Sequence, residues 1–321
     1  MSLIQTIFII PLIVSSIVAL SASSPLYIWI ALEINTISFI PIIISSLKPE
    51  SLRRAIKYFF IQAYASLILL ISPITNISFS YLILISILIK LGAAPFHNWF
   101  PAVIINLQWP TVFIISTWQK IAPLWILLEN IHLNLIFSIL ASLNALVGGI
   151  GGLTQREIRG LLAFSSIGHI GWLIYSFSFS NFITFIYYLS YIIHLLIITF
   201  LFSKYFVNTP KNINQISPTN KLWIRLIPLS LLSIGGLPPL LGFIPKFLII
   251  NLATLSSVVP LILIIRSYLN IYYYINIIWS TFMSNPQLTL KNYFPLKNRL
   301  FIILTSFIRL QILFCGLNIH L

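Results

Sequence analysis

The chain has 321 residues, of which 59% are hydrophobic and only 7% are charged, and its formal net charge is +14. Soluble domains carry about 25% charged residues, so this composition predicts an integral membrane protein. The basic residues are scattered singly and form no stripe with interleaved aromatic residues, which excludes nucleic acid as a partner. Cys315 is the only cysteine, which excludes an intrachain disulfide and a cysteine-ligated zinc or iron–sulfur site.

Long apolar windows follow one another along the chain. A helix of about 20 apolar residues crosses the hydrocarbon core, and continuous apolarity favours helices over barrel strands, which would alternate. The first window, MSLIQTIFIIPLIV, lacks the basic stretch of a signal peptide, so we expect a retained membrane helix there. We predict an all-α polytopic membrane protein, a single membrane domain over 1–321. The predicted spans are 3–22, 25–47, 56–73, 80–105, 111–129, 134–152, 161–179, 183–203, 225–250, 257–283 and 300–318.

Loop charge supports this count of eleven helices. If the helices alternate in direction, thirteen of the 18 Lys and Arg residues fall at the loops near 48–55, 153–160, 204–224 and 284–299, and none falls in the opposite loops. Loops on the cytoplasmic or matrix side are rich in Lys and Arg. The asymmetry therefore predicts an N-terminus in the cytoplasm or matrix and a C-terminus on the other side.

The fourth and ninth predicted helices contain a shared pattern of Gly and Pro. At a constant offset of 144 positions, Gly92, Pro95 and Pro101 align with Gly236, Pro239 and Pro245. Proline removes a backbone donor, so both helices should be discontinuous. The match is either coincidence or the trace of two inverted five-helix repeats, 1–129 and 134–283, followed by the last helix at 300–318. Paired interruptions in inverted repeats point to an ion site in a transporter.

Four ionisable residues lie inside predicted membrane helices: Glu33, Lys90, Lys120 and Lys246. Charge near the bilayer centre is costly, so such residues are rare and usually line ion or proton pathways. Lys90 and Lys246 lie beside the interruptions, where freed carbonyls and water can solvate an ammonium. The alternative is that each lysine extends to an interface or neutralises a fixed carboxylate. Three such lysines beside one deep carboxylate favour a proton pathway.

A polar stripe runs along the seventh predicted helix. Its members, at helical spacing, are Ser165, His169, Trp172 and Ser176. Histidine changes charge near neutral pH, so His169 is either a proton relay or a buried hydrogen-bonding residue. A weaker stripe of Tyr187, Tyr191 and His194 follows on the next helix, and there we expect a structural role.

Other polar residues in the predicted helices have no assigned role. Glu33 is the only carboxylate deep in a predicted helix, so the possible partners of Arg266 and Arg309 are backbone carbonyls, lipid phosphate or a partner subunit. His97, inside the first interruption, is either a relay or a packing residue.

Six separated motifs resemble the antiporter-like subunits of respiratory complex I, and among these the mitochondrial subunit 2 family. They are WIALEIN with Glu33, AIKYFFIQA at 55–63, KLGAAPFHNWFP with Lys90, TWQKIAP with Lys120, GGLTQREIRGLLAFSSIGHIGW at 151–172 and GGLPPLLGFIPKF with Lys246. The resemblance is collinear over roughly residues 1–283. It is specific because six motifs match, and the segment after 284 departs from it.

The resemblance implies a proton-translocating subunit of NADH:ubiquinone oxidoreductase with no redox centre of its own. NADH, FMN, iron–sulfur clusters and ubiquinone would be bound elsewhere in the complex. Glu33 and Lys90 would form the carboxylate–lysine pair of the half-channel through which protons enter. Lys120 would be the central lysine, Lys246 the distal lysine at the second interruption, and His169 a member of the axis that joins them.

The resemblance also implies a location and partners. Eleven helices fit the animal mitochondrial type, which lacks the first three of the fourteen helices of bacterial relatives. We therefore expect the mitochondrial inner membrane, with the N-terminus in the matrix and the C-terminus in the intermembrane space. The expected partners are a neighbouring antiporter-like subunit, small quinone-side membrane subunits, accessory subunits and lipids such as cardiolipin.

Two other functions remain open. A free-standing cation/proton antiporter subunit would transport sodium or potassium by itself or in its own complex. A non-pumping subunit would pass conformational or electrostatic coupling along the membrane arm, and its proton stoichiometry would survive Lys120→Ala.

Overall fold

The computed structural model describes residues 3–45, 49–74, 79–130, 134–204, 221–238, 240–253 and 258–283. These residues form α-helices, one 3₁₀ turn at Ser72–Ile74 and no strand. The helices are α1 (Leu3–Ser21), α2 (Pro25–Ile44), α3 (Pro49–Ile71), α4 (Phe79–Leu91), α5 (Trp99–Ile104), α6 (Trp109–Ser116), α7 (Trp118–Asn130), α8 (Asn134–Leu153), α9 (Ile158–Phe177), α10 (Asn181–Lys204), α11 (Lys221–Gly235), α12 (Phe243–Leu252) and α13 (Val258–Met283).

Seven stretches of the described chain have the length and composition of membrane spans. They are Pro25–Ile44, Glu50–Ile74, Trp109–Glu129, Leu135–Leu153, Ile158–Phe177, Asn181–Lys204 and Val258–Trp279. Shorter apolar helices occur at Thr6–Ser21, Ser80–Leu91 and Phe243–Leu252. The predicted all-α membrane fold is confirmed. The predicted last helix, 300–318, lies outside the described residues, so the total of eleven stays a prediction.

The third predicted span begins earlier than the apolar pattern indicates. The helix α3 starts at Pro49 rather than at residue 56, and its first turn contains Glu50. A carboxylate there complements the positive end of the helix dipole, and it accepts a hydrogen bond from Arg54 Nη1 at 3.3 Å. An apolar window cannot detect a polar first turn that is stabilised in this way.

The fourth predicted helix is interrupted at residues 92–98, between α4 and α5. Gly92 ends α4 in the left-handed conformation, with φ at 64°. The Gly92 N–H donates to Ile89 O at 3.1 Å, and the Ala93 N–H donates to Leu88 O at 3.0 Å. This pair of bonds is the glycine C-cap that closes a helix while satisfying its last carbonyls.

The ninth predicted helix is interrupted at residues 236–242, between α11 and α12. Gly236 is left-handed, with φ at 89°. Its N–H donates to Ser233 O at 3.0 Å, and the Leu237 N–H donates to Leu232 O at 3.3 Å. Each of these residues follows its counterpart in the first interruption by 144 positions. The two helix ends are therefore built alike, although Pro239 lies outside the described residues.

Glycine, rather than the predicted proline, marks where each helix stops. Pro11, Pro41, Pro123 and Pro228 all lie inside helices that continue past them. A proline removes one hydrogen bond, whereas a left-handed glycine reverses the backbone path. The predicted discontinuities are present, but the glycines begin them.

The fifth predicted helix carries an interruption that the sequence did not predict. The helix α6 ends at Ser116 and α7 begins at Trp118, with Thr117 between them at φ −118° and ψ −76°. The Tyr188 hydroxyl on α10 donates to Thr117 O at 2.6 Å. A carbonyl that leaves the regular helix ladder therefore gains a partner from another helix.

The same helix pairs pack together in both halves of the described chain. In the first half α1 packs on α2, α2 on α3, α3 on α4 and on α5, and α7 on α4 and on α1. In the second half the corresponding pairs are α8–α9, α9–α10, α10–α11, α10–α12, α13–α11 and α13–α8. This common order supports the predicted repeat, which stays a prediction. The halves meet where α5 and α6 pack against α9 and α10.

Candidate functional site

Lys90 and Lys120 line one internal cavity. Lys90 lies in the last turn of α4 and Lys120 in the first turn of α7, and their exposed fractions are 7% and 2%. The cavity leaves about 10 Å³ for the centre of a water molecule, close to the space that one water needs. Neither ammonium nitrogen has a hydrogen-bond partner in the described part of the chain. A buried charge requires such partners, so the cavity is a suitable place for water.

Uncharged polar side chains from three helices complete this cavity. Gln119, on α7, donates from Nε2 to Asn35 Oδ1 on α2 at 2.9 Å. Tyr58, on α3, donates its hydroxyl hydrogen to Gln119 Oε1 at 3.4 Å. Gln62 donates from Nε2 to the backbone oxygen of Lys90 at 3.3 Å. The network holds the wall of the cavity in place and provides groups that can bind water.

Glu33 lies on α2 and acts electrostatically on Lys90 and Tyr58. Its Oε2 atom is buried and has no hydrogen-bond partner among the described residues. No ion pair within 4.0 Å joins Glu33 to Lys90 in the part of the chain that the structure describes. The predicted carboxylate–lysine pair is therefore separated, and its interaction acts over a distance.

Phe100 covers the Lys120 side of the cavity. The Lys120 Nζ atom lies 4.5 Å from the centre of the Phe100 ring, within the range of a cation–π contact. Phe100 is fully buried on α5, and a side chain at Gly92 would meet its Cβ atom at 2.8 Å. The first interruption thus places an aromatic face over Lys120.

Lys246 is held at the second interruption by backbone oxygens. Its Nζ atom donates to Ile234 O at 3.1 Å and to Gly235 O at 2.7 Å, and its side chain is 3% exposed. Both carbonyls belong to the last turn of α11, where carbonyls lack partners within the helix. Gly236 makes room for the ammonium, because a Cβ atom there would lie 2.6 Å from Lys246 Nζ. The broken helix thus solvates a buried charge without a carboxylate.

His169 lies in the middle of α9, at the interface with α10. Its Nδ1 atom is 2.7 Å from the Tyr187 hydroxyl, and its ring packs on Tyr191 with ring centres 4.9 Å apart. Its Nε2 atom is buried and has no partner among the described residues. On the same stripe, Ser176 donates to the Thr184 hydroxyl at 2.9 Å. The predicted stripe therefore contacts the weaker stripe on α10.

A second cavity lies between His169, His194 and Lys246. It also leaves about 10 Å³ for the centre of a water molecule. Tyr187, Ser190, Tyr191 and Ser233 complete its polar lining. Our sequence interpretation gave His194 a structural role, and only the packing of α10 against α12 brings its ring to the cavity that contains Lys246. The helical spacing of Tyr187, Tyr191 and His194 was the available signal.

Two tyrosines of α10 bind the backbone at the interruption between α6 and α7. The Tyr188 hydroxyl binds Thr117 O, three residues before Lys120, and the Tyr191 hydroxyl donates to Ser116 O at 3.5 Å. Tyr191 in turn packs on His169. These contacts join the interruption before Lys120 to the lining of the second cavity.

Arg266 crosses from α13 to α9 beside His169. It is 1% exposed, and its Nη2 atom donates to Ser165 O. In the amide orientation that turns the Asn270 oxygen towards Arg266, this oxygen accepts hydrogen bonds from Nη2 at 3.0 Å and from Nη1 at 3.1 Å. The guanidinium lies over Gly168, where a Cβ atom would be 2.0 Å from Nε. Arg266 thus provides a fixed positive charge, paired with carbonyl and amide oxygens.

The structure places four of the five predicted proton-pathway residues at two cavities. Lys90 and Lys120 share the first cavity, and His169 and Lys246 share the second, whereas Glu33 lies outside the lining of both. Arg309 lies outside the described residues. His97 packs its ring near Phe164, with ring centres 6.4 Å apart. In the described part of the chain, no group of His, Cys, Asp and Glu side chains could hold a metal ion.

Comparisons with known proteins identify the family and the fold. The family model described as "NADH:quinone oxidoreductase/Mrp antiporter, TM" matches residues 71–270. The chain is 39% identical to NADH-ubiquinone oxidoreductase chain 2 of Anopheles gambiae, over 92% of this chain and 89% of that protein. It is 36% identical to the chain 2 of Lumbricus terrestris, over 86% of each.

Two solved structures share the fold. A chain of respiratory complex I from Thermus thermophilus with bound aureothin gives a TM-score of 0.78 at 22% identity, over 87% of this chain and 71% of that one. A chain of the Mrp complex from Dietzia sp. DQ12-45-1b gives 0.73 at 15% identity, over 85% and 59%. The chain belongs to the NADH-ubiquinone oxidoreductase chain 2 family, within the wider family of NADH:quinone oxidoreductase and Mrp antiporter membrane subunits.

Proposed function

We propose that this chain is the antiporter-like membrane subunit of NADH:ubiquinone oxidoreductase that moves protons through Glu33, Lys90, Lys120, His169 and Lys246. The observation that carries the proposal is the placing of three buried lysines at two water-sized cavities. None of the three forms an ion pair within the described residues. Lysines that only neutralise charge would contact carboxylates, so their arrangement favours groups that gain and lose protons.

The proposed path follows the two cavities. Quinone reduction elsewhere in the complex changes the field at Glu33 and hence its interaction with Lys90. The Lys90 ammonium gives a proton to water in the first cavity, and that water gives a proton to a neutral Lys120 amine. The tyrosines of α10 and His169 continue the polar path towards Lys246.

The same proposal gives a location and a setting. The subunit is a multi-pass protein of the mitochondrial inner membrane, with the N-terminus in the matrix and the C-terminus in the intermembrane space. It packs against a neighbouring antiporter-like subunit, small quinone-side membrane subunits, accessory subunits and lipids such as cardiolipin. NADH, FMN, iron–sulfur clusters and ubiquinone bind to other subunits.

Lys120→Ala in the assembled complex tests the proposal. We expect the number of protons moved per NADH oxidised to fall, because the first cavity loses the group that receives the proton. The measurement is the ratio of protons moved to NADH oxidised in sealed membranes, and the amount of assembled complex is quantified in parallel. Lys57→Ala is the matched control, because Lys57 is exposed on α3 and contributes to neither cavity.

The outcomes separate the competing functions. An unchanged ratio in fully assembled Lys120→Ala complex would contradict proton movement by this subunit and favour a coupling role. Transport that requires sodium or potassium, rather than protons alone, would favour a cation/proton antiporter.

A further inference from the structure

The second cavity contains a histidine with a defined hydrogen-bonding state. His194 lies on α10, is 7% exposed, and its Nδ1 atom is hydrogen-bonded to Ser190 O. A carbonyl oxygen only accepts, so Nδ1 must carry the hydrogen. In a neutral ring this leaves Nε2 as an acceptor. No hydrogen bond to Nε2 forms within the described residues, so this nitrogen can take a proton.

One of the three N–H groups of the Lys246 ammonium has no backbone acceptor among the described residues. Two of its three N–H groups point at Ile234 O and Gly235 O, which cannot supply or take a proton at neutral pH. Gly236 has no side chain to block the ammonium. The third N–H is left for the cavity that Lys246 shares with His194.

We infer that His194 is a proton-transfer residue that exchanges a proton with Lys246 through water in this cavity. The inference rests on the proposed function. In the forward step an N–H bond of the Lys246 ammonium breaks and its proton passes to water, and another proton of that water bonds to His194 Nε2. The products are a neutral amine and an imidazolium, whose Nδ1–H still donates to Ser190 O. The reverse step reloads Lys246.

A purely structural role explains these contacts less well. The bond to Ser190 O requires one donor, which an amide side chain provides equally well. His169 has its own hydrogen-bond partner in Tyr187, at 2.7 Å, so it needs no hydrogen bond to His194. An imidazole differs from an amide here because it has a second nitrogen that can take up a proton, in a residue that lines the same water-sized cavity as Lys246.

His194→Gln in the assembled complex is the test. The Gln amide can keep the bond to Ser190 O but cannot take up a proton. A positioned proton-transfer group contributes about 10²–10⁴-fold to a rate, so we expect proton-coupled NADH oxidation to fall by about tenfold or more. The slower proton transfer should also enlarge the solvent deuterium isotope effect on this rate, which a loss of packing alone would leave unchanged. Thr199→Val, on the same helix but outside the cavity, should behave like the unmodified complex.

Lys246→Ala, measured in the same membranes, separates this inference from the proposed function. A loss of proton-coupled NADH oxidation in Lys246→Ala, with full activity in His194→Gln, would overturn the role of His194 and leave the proposed function intact. Full activity in both variants would contradict the proposed function as well. A loss of activity in His194→Gln with an unchanged solvent deuterium isotope effect would also overturn the role of His194 and assign it to packing.

Discussion

At the residue scale, the three lysines are stabilised in three different ways. Lys246 donates to two backbone carbonyls, and Lys120 lies under the Phe100 ring. Lys90 has neither contact and only the distant charge of Glu33. Burying an ammonium is costly without such groups, so Lys90 depends most on water in its cavity. Of the three lysines, Lys90 is the one on which the charge of Glu33 acts.

Gly236→Ala should disturb Lys246 directly. The left-handed backbone at Gly236 is strained for any side chain, and a Cβ atom would lie 2.6 Å from Lys246 Nζ. Left-handed backbone costs about 1–2 kcal/mol for a residue with a Cβ atom, before the contact with the ammonium is counted. We expect a lower thermal inactivation temperature and a lower proton-to-electron ratio, measured on purified complex and on sealed membranes.

Gly160→Ala is the control for that substitution. Its Cβ atom would meet only the end of the Gln155 side chain, at 2.7 Å, and this flexible chain can move away. Equal behaviour of the two variants would show that the space at Gly236 has no special role.

At the element scale, the sequence predicts the interrupted helices better than their exact ends. The alignment of Gly92 with Gly236 marks both breaks because glycine is visible in the sequence and favours the left-handed conformation. The break at Thr117 has no such residue, and the nearby Pro123 lies in a regular part of α7. The Thr117 carbonyl is bound by Tyr188, 71 positions away, so no local sequence pattern could indicate this break.

The contact between α9 and α13 depends on Gly168. A methyl group there would overlap the Arg266 guanidinium, with its nearest atom at 2.0 Å. We therefore expect Gly168→Ala to reduce the amount of assembled complex, because overpacking of a core contact costs about 1–3 kcal/mol. The measurement is the yield of intact complex in native gels, together with its thermal inactivation temperature.

A second substitution identifies the cause. All three atoms closest to a Cβ at Gly168 belong to Arg266, so Gly168→Ala combined with Arg266→Ala should assemble better than Gly168→Ala alone. A double variant that assembles no better than the single one would contradict a clash with Arg266 as the cause.

At the scale of the whole molecule, the tyrosines of α10 join the two halves. Tyr188→Phe removes the 2.6 Å hydrogen bond to Thr117 O, which retains only the Lys120 N–H at 2.9 Å. A typical hydrogen bond contributes about 0.5–1.5 kcal/mol, so we expect a small loss of thermal stability. The altered position of α7 should also lower the proton-to-electron ratio in sealed membranes.

Tyr64→Phe provides the comparison. Tyr64 is 62% exposed on α3, so the loss of its hydroxyl should have little effect on either measurement. Equal changes in both tyrosine variants would contradict a specific connection through Thr117.

The sequence identified the charged residues of the site but not how they are grouped. Lys90, Lys120 and Lys246 are conspicuous because charge is rare in apolar helices. The distance between Glu33 and Lys90, and the position of His194 beside Lys246, depend on packing between helices that are far apart in the chain. A histidine on an apolar helix has no sequence signal that separates a buried structural role from proton transfer.

The positions of Lys90 and Lys246 relative to their interruptions have one more consequence. Lys90 precedes its break, on α4, whereas Lys246 follows its break, on α12. In the predicted topology, in which α4–α5, α6–α7 and α11–α12 each cross the membrane once, six crossings separate the start of α4 from the end of α12, so both ends fall at the same membrane face. Both lysines therefore lie on half-helices that begin or end at that face, although Lys90 precedes its interruption and Lys246 follows its own. In this topology, a perturbation confined to that face would reach both lysine-bearing half-helices.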